Sequence, residues 1–151
     1  NMLYVTGFSG SELTMLQVTI PDGEVVHSFP STTSATIPTF YDASRETLLF
    51  VDNIDAHDYY KLNYYETDVK TGKTTDPILI YDTPVGEVVN FIGYDSQKNV
   101  IVIILMQEGK SDLKVLQFDV DQKKIVSTSS LKADDKQPFS GLVYIPWKIS
   151  A

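Results

Sequence analysis

Six consecutive apolar residues decide the architecture of this chain: Val100-Ile101-Val102-Ile103-Ile104-Leu105. Successive side chains of a β-strand point to opposite faces of the sheet, so a strand with one face in water alternates apolar and polar residues. This stretch does not alternate, and both of its faces must therefore be covered. A sheet that is stacked between two other layers meets that requirement, so the stretch favours stacked sheets.

Two sequence markers recur with a period of about 50 residues, which indicates an internal repeat. One marker is an alternating strand that ends in a tight turn, and it occurs at Leu16–Gly23, Tyr65–Gly72 and Leu116–Lys123. The other is a Tyr-Asp turn, which occurs at Tyr41-Asp42 and Tyr94-Asp95 and begins again at Val143-Tyr144. Because two independent markers share one period, we predict three copies of one structural unit.

Each unit is predicted to contain up to four short antiparallel strands, a to d, separated by Gly, Asp, Ser and Lys clusters that suit turns. In the first unit, strands b to d are predicted at Met2–Thr6, Leu13–Ile20 and Glu24–Phe29. In the second unit, strands a to d are predicted at Thr36–Asp42, Thr47–Asp52, Lys61–Val69 and Asp76–Tyr81. In the third unit they are predicted at Phe91–Asp95, Val100–Met106, Leu113–Val120 and Ile125–Ser129. Sustained helical periodicity is absent from the sequence, so the predicted fold class is all-β.

The whole chain, residues 1–151, is predicted to be one repeat domain with units at 1–35, 36–89 and 90–138. A final strand at 139–149 either completes the first unit, which lacks strand a, or pairs with another chain. The c-to-d turns contain Asp22-Gly23 and Thr71-Gly72. Glycine supplies the positive φ that a tight hairpin turn needs, so these dipeptides support antiparallel hairpins.

Composition and charge exclude several classes of protein. With 42% hydrophobic residues, nine Tyr and seven Phe, the chain has the composition of a folded globular protein. Its net charge of −8 repels phosphate backbones and anionic lipids, so neither nucleic acid nor a membrane is an expected partner. The lack of cysteine excludes disulfides and thiolate chemistry. The apolar stretches of the sequence are shorter than the roughly 18 residues of a transmembrane helix.

The Tyr-Asp turn, the doubly apolar strand and the hairpin Thr67-Asp68-Val69-Lys70-Thr71-Gly72 resemble blades of YncE-like and quinoprotein-type β-propellers. The resemblance spans nearly the whole chain and implies three four-stranded antiparallel blades. The Trp-Asp dipeptide, the paired glycines of kelch repeats and the tryptophan docking motif of quinoprotein blades are missing, so the resemblance concerns the fold and not an activity. A β-trefoil, which also uses three four-stranded repeats, ranks second because trefoil repeats lack the Tyr-Asp turn and the doubly buried second strand.

The richest candidate binding site is the predicted b-to-c loop of the second unit. Asp52-Asn53-Ile54-Asp55-Ala56-His57-Asp58-Tyr59-Tyr60 places carboxylates, an imidazole and two aromatic rings in one short segment. Loops of this face are the longer ones and carry more aromatic and charged groups. We therefore predict that a ligand contacts Asp55, His57, Asp58, Tyr59 and Tyr60. The spacing lacks the glycine and distal glutamate of an EF-hand, so no metal site is expected, and no motif marks a catalytic residue or a cofactor site.

These features favour a non-enzymatic binding module that presents propeller loops to a protein, a peptide or a glycan. One alternative is a propeller-type hydrolase or lactonase with a central metal, which needs charged or imidazole ligands where strand a begins. The chain offers only uncharged polar residues at those positions, namely Thr36, Thr39, Asn90 and Ser140. Another alternative is a fragment of a longer propeller without separate activity. Because about four to eight blades close a ring, we expect a homodimer or association with further blades.

Overall fold

The structure, a computed structural model, describes residues 2–9, 12–30, 40–55 and 60–132. Within these ranges the backbone forms the strands β1 (Met2–Ser9), β2 (Glu12–Thr19), β3 (Val25–Pro30), β4 (Phe40–Asp42), β5 (Thr47–Asp55), β6 (Tyr60–Asp68), β7 (Ile78–Asp82), β8 (Glu87–Asp95), β9 (Val100–Gln107), β10 (Leu113–Asp119) and β11 (Lys124–Leu131). The described residues include no helix, and hence none that is long and apolar enough to cross a membrane.

The strands form three antiparallel sheets in which strands that follow one another in sequence are neighbours in space. The first sheet has the order β1-β2-β3, the second β4-β5-β6-β7 and the third β8-β9-β10-β11. The prediction of an all-β chain made of consecutive antiparallel hairpins is confirmed. The first unit shows three strands, as predicted, and the predicted final strand at 139–149 lies outside the described residues.

Strand β8 is the clearest departure from the predicted boundaries. It begins at Glu87, whereas the sequence pattern predicted a start at Phe91. The pairing of β8 with β9 shifts between Val89 and Phe91, which leaves Asn90 as the extra residue of a β-bulge. A bulge reverses which face of the sheet successive side chains point to. The alternation in residues 87–89 therefore does not continue the alternation from Phe91 onward, and the sequence pattern placed the start of the strand after the bulge.

Strand β9 is covered on both faces, as its unbroken apolar sequence predicted. All six residues from Val100 to Leu105 are buried. Alternate residues belong to two different clusters, with Ile101 and Ile103 in the core shared with the second sheet. Val102 and Ile104 belong to a separate cluster on the other face.

The second sheet lies between the other two sheets. On β5, Leu48 and Phe50 belong to a cluster against which Tyr4 of the first sheet packs. Leu49 and Val51 alternate with them and belong to the large core that includes β9 and β10 of the third sheet. Strand β5 therefore loses its solvent contact on both faces, which contributes hydrophobic stabilisation to the fold.

The repeated Tyr-Asp marker encodes the turn between strands a and b. The Asp42 carboxylate accepts a hydrogen bond from the backbone N–H of Ser44 at 2.9 Å, and Asp95 accepts one from Gln97 at 3.0 Å. Each aspartate thereby satisfies backbone donors that the turn leaves without a strand partner. In both turns the fourth residue after the aspartate has a positive φ, with values of 52° at Glu46 and 54° at Asn99.

The second repeated marker encodes the turn between strands c and d. Asp68 accepts backbone hydrogen bonds from the first residues of its turn, and Asp119 does the same in the third sheet. The predicted turn glycines have a positive φ, 71° at Gly23 and 69° at Gly72. Lys123 takes the same place in the third sheet with a φ of 55°. The turns of the three units therefore share a positive φ at the same position, which explains why these residues recur in the sequence.

Candidate functional site

The predicted ligand-binding residues lie at the hairpin between β5 and β6. Asp55 and Tyr60 are paired across this hairpin, which brings the two ends of the predicted loop together. His57, Asp58 and Tyr59 lie outside the described residues, as do the side chains of Asp55 and Tyr60. Their role in binding remains a prediction.

Of the four polar residues at the positions where a central metal would bind, the structure describes only Asn90. This residue is exposed at the bulge of β8. Thr36, Thr39 and Ser140 lie outside the described residues. Within the described ranges, no group of three or more His, Cys, Asp or Glu side chains is arranged to hold a metal ion.

A cleft of about 820 Å³ opens between the first and second sheets. It lies toward the end of the sheets that carries the a-to-b and c-to-d turns, opposite to the β5–β6 hairpin loop. Its polar and aromatic lining comes from four strands and two turns of the two sheets, with Tyr4, Gln17, His27, Tyr41, Glu46 and Lys70 as the main side chains. The cleft therefore depends on both sheets and is not a feature of one hairpin.

Two tyrosines line the cleft, together with Phe40. The rings of Tyr4 and Tyr41 lie 5.8 Å apart and are tilted by 31°. Gln17 Nε2 donates a hydrogen bond to the Tyr4 hydroxyl at 3.1 Å, which fixes the position of that ring. Burial, together with the nearby Tyr41 and Glu46, raises the pKa of Tyr4, so its hydroxyl is neutral at physiological pH. Tyr41 is the more exposed of the two rings and is available to a ligand.

The cleft carries almost no net charge. Among its described lining residues only Glu46 and Lys70 have a formal charge, and they form an ion pair with each other. Both side chains are exposed, so the pair adds little to stability. The ion pair lies at the rim of the cleft, and tyrosine, amide and aliphatic groups line the interior. Leu48 and Val69 are part of the apolar lining.

A network of charged groups closes one end of the interface between the second and third sheets. Three donors converge on Glu66 Oε1: the Tyr64 hydroxyl at 2.6 Å, Arg45 Nη1 at 3.2 Å and Lys123 Nζ. Arg45 also donates through Nε to Asp42 Oδ2 at 2.6 Å. Burial by itself raises the pKa of Glu66, but the hydrogen bonds from Lys123 and Tyr64 and the nearby positive charges hold that pKa below its usual value.

A smaller network lies at the other end of the same interface. Lys114 Nζ donates to the Tyr81 hydroxyl at 2.8 Å and forms an ion pair with the buried Glu87. The Tyr81 hydroxyl donates in turn to Glu87 Oε2 at 3.0 Å. Burial lowers the pKa of Lys114, but the hydrogen bonds to Glu87 and Tyr81 outweigh it and raise that pKa above its usual value. Apart from Arg45 Nη2, which is buried without a hydrogen-bond partner, the groups described here satisfy one another, so we assign both networks to the structure of the interface and not to a ligand.

Sequence comparison gives no independent assignment: the chain matches no model of a known protein family and no curated protein.

Sequence reasoning missed the cleft because its residues are distant from one another along the chain. One signal pointed to part of it, since Tyr41 belongs to the repeated Tyr-Asp marker. The equivalent Tyr94 packs on Phe40 across the next interface, with ring centres 5.8 Å apart. The repeat therefore places a tyrosine at each interface between sheets, and at the first interface this tyrosine lines the cleft.

Proposed function

We propose that this protein is a non-enzymatic binding module whose three sheets are consecutive blades of a β-propeller. Four observations support the blade interpretation: the consecutive strand order, the face-to-face stacking, the doubly buried second strands and the shared turns. Separate stacked sheets are how propeller blades associate, and this favours blades over a β-trefoil.

The ligand is a protein, a peptide or a glycan, and the cleft between the first two sheets favours a neutral glycan. The observation that carries this proposal is the Tyr4–Tyr41 pair, with Gln17 held against it. A tyrosine offers a flat apolar ring for the C–H face of a sugar and a hydroxyl for its polar edge. The volume of about 820 Å³ falls within the range of ligand pockets. The paired charges at the rim make a strongly charged ligand less suitable than a neutral one.

The β5–β6 hairpin loop is the competing surface, and two matched variants distinguish it from the cleft. Tyr41→Ala removes the exposed ring of the cleft, and Tyr60→Ala removes a tyrosine of the predicted loop. The purified chain is screened against arrays of neutral oligosaccharides, and affinities of the positive ligands are measured by calorimetry. We expect Tyr41→Ala to weaken binding by about tenfold or more, as truncation of an aromatic contact residue commonly does.

The same screen includes acidic and basic peptides as competing ligands. Thermal unfolding of each variant shows whether a loss of binding reflects a loss of fold. If only Tyr60→Ala loses ligand binding, the site lies at the β5–β6 hairpin loop. Binding of peptides but not of glycans contradicts the ligand class, and binding of neither contradicts the proposed function.

A further inference from the structure

Gln17 lies next to Tyr4 on the face of the first sheet that lines the cleft. The two residues are paired directly across β1 and β2, and both side chains are partly exposed. Gln17 Nε2 donates a hydrogen bond to the Tyr4 hydroxyl oxygen at 3.1 Å. The other described residues form no hydrogen bond with either side chain. The pair therefore keeps hydrogen-bonding capacity for a ligand in the cleft.

The direction of this hydrogen bond decides what the pair offers to a ligand. A hydroxyl has one hydrogen and accepts through its lone pairs, so the Tyr4 hydrogen points away from the amide nitrogen that donates to its oxygen. Burial raises the pKa of Tyr4, so the hydroxyl keeps this hydrogen at neutral pH. Gln17 Oε1 remains an acceptor on the same amide. The cleft thus presents one donor, the Tyr4 O–H, beside one acceptor, Gln17 Oε1.

The same strand position carries a different group in the second sheet. Counting from the residues that begin the c-to-d turns, the equivalents of Gln17 are Glu66 and Gln117. At Glu66 the direction is reversed, because the carboxylate accepts from the Tyr64 hydroxyl at 2.6 Å. A carboxylate at this position takes the hydrogen of a neighbouring tyrosine, whereas the amide of Gln17 leaves that hydrogen for a ligand.

A ligand group that matches the pair must accept from Tyr4 and donate to Gln17 at the same time. A carboxylate has no hydrogen for Gln17 Oε1, and an ammonium group has no lone pair for the Tyr4 O–H. A trans peptide bond points its N–H and C=O to opposite sides, so a peptide backbone cannot meet both groups with one peptide unit. Two neighbouring hydroxyls of a sugar can, since each hydroxyl both donates and accepts.

We infer that Gln17 is a specificity-determining residue, which orients the Tyr4 hydroxyl so that the cleft recognises a vicinal diol of a neutral sugar. This inference rests on the proposed glycan-binding function and names the chemical group that the cleft selects. The hydrogen bond from Gln17 polarises the Tyr4 hydroxyl and strengthens it as a donor. The exposed ring of Tyr41, whose centre is 5.8 Å from that of Tyr4, supplies an apolar surface for the C–H face of the same sugar.

NMR titration of the full chain with simple sugars tests the selectivity. The probes are the methyl pyranosides of glucose, galactose and mannose, together with their 3-deoxy and 6-deoxy analogues. Removal of the 3-hydroxyl leaves no two hydroxyls on neighbouring carbons, whereas removal of the 6-hydroxyl leaves both vicinal pairs intact. We expect a parent sugar and its 6-deoxy analogue to bind alike. The 3-deoxy analogue should bind about tenfold or more weakly, because it leaves a polar group of the protein unpaired.

The outcomes separate this inference from the proposed function. Binding of a parent sugar and its 3-deoxy analogue with equal affinity overturns the inference and leaves the proposed glycan binding intact. If none of the glycosides binds, both are overturned. A short peptide that contains asparagine is the competing probe, since a primary amide also offers a neighbouring donor and acceptor. Tighter binding of that peptide than of every glycoside contradicts the sugar diol.

Two substitutions link the selectivity to the named residues. Tyr4→Phe keeps the ring but removes the hydroxyl. Gln17→Glu replaces the amide donor with a carboxylate that takes the Tyr4 hydrogen, as Glu66 takes that of Tyr64. We expect each variant to bind the parent sugar about tenfold or more weakly and to bind it no better than the 3-deoxy analogue. Gln117→Glu is the matched control, because it makes the same change at the equivalent, exposed position of the third sheet.

The loss of selectivity is the decisive readout, since a merely structural role would weaken all sugars equally. Thermal unfolding of each variant shows whether its fold is retained, and the comparison of analogues on the wild-type chain stands even if a variant unfolds. A folded Tyr4→Phe or Gln17→Glu variant that still prefers the parent over the 3-deoxy sugar contradicts the role assigned to this pair.

Discussion

Neutralising Glu66 is the sharpest test of how the second and third sheets are joined. Glu66 accepts hydrogen bonds from Tyr64 and Arg45 of its own sheet and from Lys123 of the next. Glu66→Gln keeps the size of the side chain and one carbonyl acceptor but removes the negative charge. Arg45 and Lys123 then face each other across the interface without the carboxylate between them.

The magnitude follows from the exposure of the partners. Removing one member of a fully buried ion pair costs about 3–5 kcal/mol. The side chains of Arg45 and Lys123 are 32% and 33% exposed, so water compensates for part of that loss. Tyr64 can still donate to the glutamine oxygen. We expect a destabilisation of about 2 kcal/mol, which lowers the melting temperature of a domain of this size by about 4–8 °C.

Urea unfolding of both proteins at neutral and acidic pH is the assay. The pKa of Glu66 in the folded chain lies below its ordinary value of 4.5, so its stabilisation is complete above that value and is lost as pH falls through the folded pKa. The difference between the two proteins should therefore be present at about pH 7 and should shrink as the pH falls through the lowered pKa of Glu66 in the folded chain. Glu24→Gln, at an exposed turn residue, is the control. Equal unfolding midpoints at neutral pH, or a difference that persists into acid, would refute the reasoning.

Four further substitutions test the turns and the core by thermal or urea unfolding. Glu46→Asn should stabilise by about 0.5 kcal/mol, because asparagine tolerates a positive φ better and already occupies the equivalent position at Asn99; no gain would argue against strain at this turn. Gly23→Ala should destabilise by about 1 kcal/mol through its φ of 71° alone, since an added Cβ meets no atom within 4 Å; a neutral effect would contradict this. Ile103→Ala should cost about 3 kcal/mol and Val5→Ala less than about 1 kcal/mol at concentrations where the chain is monomeric; similar costs would contradict the difference in burial.

The sequence predicted the strands and turns well because both depend on residues that are close along the chain. The Asp-capped turns contain their own signal, since the carboxylate bonds to backbone groups two or three residues away. The candidate site depends on contacts between distant residues, which no local pattern contains. Tyr4 and Tyr41, for example, pack together in the cleft although they lie on different sheets. The same holds for the interface networks: Glu87 falls between two predicted strands, and its partner Lys114 is 27 residues away. Likewise the adjacent Tyr64 and Tyr65 are both buried, but in clusters on opposite faces of the second sheet.

The cleft lies where the repeat departs from its own pattern of packing. At the second interface Glu66 of one sheet receives Lys123 of the next, and together they close the end of the interface. Counting from the residues that begin the c-to-d turns, the equivalent residues at the first interface are Gln17 and Gly72. A neutral amide and a glycine cannot form that ion pair, and Gln17 instead donates to the hydroxyl of Tyr4. The loss of one interaction between sheets thus accounts for an aromatic cleft with almost no net charge at the first interface, where the second interface has an ion pair.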